Sequence, residues 1–143
     1  MSEAEDPDIV ERSVEKTHIW LKELAEELGG RDRRYAYRVL RSVLHTLRDR
    51  LPVEVAAKLA AQLPTLVRGI YYEDWTPSHT PLAIRDVDGF LRLVAEEGHM
   101  AGETEASVAV EAVMRLLRRH ISSGEIDEVM AVLPAPLRGL VEA

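Results

Sequence analysis

Apolar residues recur along this chain at three- and four-residue spacing, the period of helices that bury one face. Val10, Val14, Thr17, Leu21, Leu24 and Leu28 form the first such stripe. The Asp6–Pro7 pair predicts where that helix starts, with Asp6 as N-cap and proline at the first helical position, where its missing N–H costs nothing. Gly29–Gly30 predicts its end, because glycine readily takes the left-handed conformation that closes a helix. Ala36, Val39, Leu40, Val43, Leu44, Leu47 and Leu51 form a second stripe and predict a helix over about 32–51. Pro52 opens a third helix through about 63, and Pro64 a fourth through about 72. Later stripes predict helices at about 87–98, 104–121, 123–133 and 135–142. Ser122 followed by Glu125 matches a capping box at one of these starts. No segment alternates apolar and polar positions with β-branched enrichment, so no strand is predicted.

The chain overlays itself without a gap at an offset of 70 residues, placing 20–72 on 90–142. Thirteen of the 53 pairs are identical, among them Glu27/Glu97, Arg48/Arg118, Leu63/Leu133, Pro64/Pro134 and Arg68/Arg138. Many mismatches keep their physical type, as in Trp20/Phe90, Leu44/Met114 and Leu51/Ile121. A preserved apolar pattern implies preserved buried faces. The expected fold is all-α: about eight helices in two tandem four-helix repeats related by a pseudo-twofold axis. Repeat one covers about 7–72, a proline-containing linker 73–86, and repeat two about 87–142. A half of some 55–60 residues has a marginal core alone, so a single co-folded domain over 1–143 is expected.

Composition narrows the chemistry. The 143 residues are 46% apolar and 30% charged, a globular balance. Cysteine is absent, which removes disulfides, zinc–thiolate sites, iron–sulfur clusters and thiol nucleophiles. No apolar run is long enough to span a bilayer and the start is acidic, unlike a signal peptide, so a cytoplasmic protein with no membrane partner is expected. A net charge of −7 opposes polyanion binding unless a basic face exists.

One such face is a ridge of Arg34, Arg38, Arg41, His45 and Arg48, opposite the second apolar stripe. It makes nucleic-acid binding an alternative function, against which the matching positions of the second repeat read Thr104, Val108, Glu111, Arg115 and Arg118, so that half the ridge is lost. Glu96 and His99 have the spacing used in di-metal helical bundles, but position 29, the equivalent of 99, is glycine, and His99 at a helix end also suits a C-terminal cap. The pairs Glu26–Glu27 and Glu96–Glu97 each place one carboxylate outward, since adjacent helical residues diverge. The inward one is a candidate partner for the repeated Arg68 and Arg138. Tyr71, Tyr72 and Trp75 cluster where the first repeat meets the linker, and suit either a partner contact or the seam between repeats. Val108, apolar where the first repeat has Arg38, is a further candidate contact. No nucleophile elbow or phosphate-cradling glycine loop occurs.

The segments WLKELAEELG, VLHTLRDRLP, AAQLPTLVRGIYYEDWTP and FLRLVAEEG resemble the bacterial domain-of-unknown-function family 2267. Its most specific part is the run Gln62, Leu63, Pro64, Arg68, Gly69, Tyr71, Tyr72, Glu73, Trp75 and Pro77. The resemblance covers about 17–140 and implies a cytoplasmic, internally duplicated helical protein without established catalytic residues. Where that family often has glycine after the tyrosine pair and glutamate, this chain has Asp74. The expected function is a non-enzymatic binding or scaffolding module with a stress or regulatory role, needing no metal or cofactor. A protein partner or self-association, most simply a homodimer, would act through Tyr71, Tyr72, Trp75 and Val108. A small-molecule or metal site at the junction of the repeats is the remaining alternative.

Overall fold

Periodicity in the sequence becomes eight α-helices in the computed structural model, which describes residues 2–142, with side chains over 8–142. They are α1 (Ser2–Glu27), α2 (Arg33–Arg50), α3 (Val53–Ala61), α4 (Thr65–Tyr72), α5 (Val87–Gly98), α6 (Glu103–His120), α7 (Ser123–Val132) and α8 (Ala135–Glu142). A 3₁₀ turn, Pro77–His79, interrupts the segment between α4 and α5 and had no signal in the apolar pattern. The fold is all-α, and no strand occurs among the described residues.

Most boundaries follow from local chemistry. The Asp32 side chain accepts from the Tyr35 N–H and starts α2, and Pro52 and Pro64 precede α3 and α4. The start of α1 differs from expectation: the helix begins at Ser2, ahead of the Asp6–Pro7 pair. Each of α2, α3, α4 has a counterpart beginning 70 residues later in α6, α7, α8.

The ends of α1 and α5 repeat the same cap. Gly30 N–H donates to Ala25 O, and Met100 N–H donates to Ala95 O, 70 residues on. Gly29 (φ 88°) and its counterpart His99 (φ 53°) both take the left-handed conformation that this cap requires.

Packing is also reciprocal. α1 lies on α2 and α6, while α5 lies on α6 and α2; α4 packs against α1 and α2, and α8 against α5 and α6. α2 meets α6 and α3 meets α7 across the middle. One cluster of buried apolar residues draws on all eight helices, from Trp20 and Leu24 through Leu44, Leu63 and Tyr71 to Val94, Leu117, Val129 and Leu137. At Gly98 a side chain would strike Ser42 Oγ at 3.0 Å, so glycine here permits the close approach of α5 to α2.

Candidate functional site

The polar side chains singled out by the sequence divide into those that hold helices together and those left at the surface. The repeated arginines belong to the first group. Arg48, 2% exposed, donates through Nη1 to Tyr71 O and Glu73 O, each at 2.7 Å. Its counterpart Arg118 donates to Val141 O, the equivalent carbonyl at the end of α8. Arg68 donates to Ala60 O and Leu63 O, and Arg138 to Leu133 O. These guanidiniums satisfy carbonyls that helix ends leave open. Pairing of Arg68 and Arg138 with the repeated glutamates, expected from sequence, does not occur.

Those glutamates cross between the halves instead. Glu26 and Glu96 face solvent, while Glu27 and Glu97 turn inward. Glu27 on α1 accepts from Arg115 on α6 at 2.7 Å. Glu97 on α5 meets the Nδ1 of His45 on α2 at 2.5 Å, and position 45 corresponds to position 115. His45 is 2% exposed, and its Nε2 lies 2.7 Å from Ile70 O, an oxygen that only accepts. Hydrogen bonding from Arg115 holds the Glu27 carboxyl below the usual range, and His120 does the same for Glu23. The signal for this exchange was present in the sequence as a repeated glutamate and a base at 45 and 115, but spacing alone did not say which helices would meet.

The arginine ridge is therefore shorter than the sequence implied. Arg48 is withdrawn from it by burial beneath the end of α4. Arg41 is engaged by three carboxylates, Glu73 at 3.1 Å, Asp74 at 3.1 Å and Glu97 at 3.0 Å. Its guanidinium is pushed further towards the charged form by the hydrogen bond to Glu73. Arg34 and Arg38 stay exposed. Asp74 has φ 61°, a left-handed backbone where glycine is the unstrained choice, and the Arg41 contact holds the aspartate that stands there.

Tyr71 must be removed from the partner-contact set. It is 0% exposed, its hydroxyl donates to Ala56 O at 2.9 Å, and burial pushes its pKa far up. Tyr72 packs edge-on against Tyr71 and stacks on Trp75 with ring centroids 5.1 Å apart. Both Tyr72 and Trp75 are half-buried and lean on the core, covering the start of the linker. Val108 is 50% exposed and borders a groove of about 500 Å³ with Leu28, Arg31, Tyr35 and the turn before α6. Within that groove the Tyr35 hydroxyl donates to Glu105 at 2.5 Å, and the Arg31 guanidinium lies 3.5 Å over the Tyr35 ring. Burial raises the Tyr35 pKa, and the same hydrogen bond lowers that of Glu105.

Glu96 and His99 are both exposed, and His99 serves as the left-handed cap of α5. Among the described residues no group of three or more His, Asp or Glu side chains is placed to hold a metal ion. Among the described residues no helix is long and apolar enough to cross a membrane.

No curated protein matches this sequence. The sequence profile of a family described as uncharacterized conserved protein (DUF2267) matches residues 17–140, the span that holds both sets of repeated arginines and the crossing glutamates. The chain belongs to that family.

Proposed function

We propose that this protein is a non-enzymatic helical binding or scaffolding module, built as two copies of one four-helix unit that a pseudo-twofold axis exchanges and that fold together as one domain. The observation that carries the binding role is large apolar side chains left in water on a bundle whose conspicuous polar groups are engaged internally. Val108 is half exposed beside its groove, and Ile9, Val10, Val14, Ile19 and Leu66 are each more than 40% exposed. Exposed apolar surface on a well-packed protein marks interaction sites. Tyr72, Trp75 and Val108 remain candidate partner contacts, and a regulatory setting in the bacterial cytoplasm fits such a module.

Self-association is its simplest form. Light scattering from low to high micromolar concentration is expected to show a mass that grows with concentration; a monomer throughout would remove self-association.

Nucleic-acid binding is the second reading, favoured by the exposure of Arg31, Arg33, Arg34 and Arg38 around the turn into α2. It requires retardation of DNA or RNA at low salt that fades steeply as salt rises, and loss of retardation on reversing the charges of Arg34 and Arg38.

A further inference from the structure

We propose that a second copy of this chain covers the exposed face of α1, with the two α1 helices running antiparallel. The inference rests on the binding-module reading and assigns it a partner and a surface distinct from Val108.

Three observations converge on α1. From Asp8 to Ile19 no residue is buried; the helix enters the core only at Trp20. At about 1.5 Å per residue, that stretch presents some 18 Å of helix whose outer face has no covering layer. Helices gain most of their stability from packing an amphipathic face, so a stretch this long calls for a partner.

The face is also patterned for a helix. Val10, Val14 and Thr17 continue the stripe of Leu21, Leu24 and Leu28 with alternating four- and three-residue steps. That spacing keeps one seam along a gently supercoiled helix pair. The inner part of the stripe is closed by this chain's own α2 and α6, whereas Val10 is 63% and Val14 41% exposed. Beside the seam, Ile9, Ser13, Lys16 and Ile19 border a groove of about 560 Å³ with Leu63 and Thr65 at the start of α4.

Charge selects the partner and its direction. Among the described side chains, Asp8 and Glu11 open the exposed stretch with no basic residue, and Arg12, Lys16 and Lys22 follow against Glu15 alone. A parallel pair would set acid against acid. An antiparallel pair sets the acidic segment of each copy along the basic segment of the other. The surface is thus complementary to itself, as a twofold interface must be. A contact built on one helix pair lies at the small end of specific interfaces, so association in the micromolar range is expected.

Sedimentation of the full chain tests this with Val10→Glu/Val14→Glu. Both valines are exposed in the single chain, so circular dichroism should be unchanged while the dissociation constant rises at least about tenfold. Val53→Asp, on an exposed apolar residue at the start of α3 outside both surfaces, serves as the control and should leave association intact. Direction is read by energy transfer in the cysteine-free background: donor at Asp8→Cys with acceptor at Lys22→Cys should transfer more strongly than donor and acceptor both at position 8. Association that survives Val10→Glu/Val14→Glu, or that Val53→Asp weakens as much, overturns the α1 surface but keeps self-association. Stronger transfer between the two position-8 labels overturns the antiparallel arrangement. A wild-type monomer at every concentration removes the inference together with self-association.

Discussion

Glu125 sits in the first turn of α7, 6% exposed, with its Oε2 lacking a hydrogen-bond partner among the described residues. The capping box expected there is only half made: Ser122 Oγ accepts from the Glu125 N–H, but the Ser122 N–H donates to Gln62 Oε1 just past the end of α3. Burial raises the Glu125 pKa, Glu128 adds to the rise, and Lys58 offsets part of it. A carboxyl whose pKa is raised on folding holds its proton more tightly in the native state. Stability from this group is therefore full below the ordinary carboxylate range and falls as pH rises through that range towards the folded value. We expect Glu125→Gln to raise Tm at pH 7 by about 2 °C and to match wild type well below the carboxylate range. Thermal melts at the two pH values check this, and an unchanged Tm at pH 7 would contradict it. Tyr71 tests a different distinction. Tyr71→Phe should lower the unfolding free energy by about 1 kcal/mol in urea titration, through loss of the bond to Ala56 O, and leave self-association unchanged. A partner-contact tyrosine would give the reverse outcome.

Among the elements, equivalent arginines meet unequal surroundings. Arg48 is buried and serves two carbonyls and Asp49, whereas Arg118 is exposed and serves one carbonyl. Arg48→Met is expected to cost about 2–3 kcal/mol and Arg118→Met about 1 kcal/mol, because only the first strands carbonyls away from water. Urea unfolding of the two variants measures the difference, and equal losses would contradict the assignment. The shared cap gives a second comparison. His99→Gly should stabilise by about 0.5 kcal/mol by placing at α5 the residue that already ends α1 without left-handed strain; a loss of stability would mean that the His99 side chain contributes an interaction of its own.

The helix boundaries were legible because proline, glycine and the apolar stripes act locally; α5 and α8 begin and end at the expected residues, and α4 begins one residue after the proline expected to open it. Which polar residues would be buried was not. His45 and Arg48 lie on the polar ridge of α2, the face that a helix in water would expose, and both are buried. They are covered by the end of α4, whose Ile70 and Tyr71 carbonyls they meet, while the chain after α4 folds back over the end of α2, with Arg50 donating to Ile84 O and Leu82 N–H to Asp49 O. The opposite error occurred on α1, where Val10 and Val14 read as core and lie in water. A periodic stripe records that a face is apolar, not what covers it.

At the scale of the molecule, α1 to α4 and α5 to α8 exchange their contacts in a consistent way. The Glu27–Arg115 and Glu97–His45 pairs each join one half to the other, and a single apolar cluster runs through both. Cut at the linker, each half would expose the faces of α2, α3, α6 and α7 that now meet in the middle. For an isolated half of this size the loss removes most of a marginal stability. We therefore expect the halves to unfold together. Differential scanning calorimetry at low protein concentration tests this most directly. One transition whose calorimetric and van't Hoff enthalpies agree is the expected result. Two resolved transitions, or a calorimetric enthalpy near twice the van't Hoff value, would mean that the repeats are independent bodies and that neither shields the other.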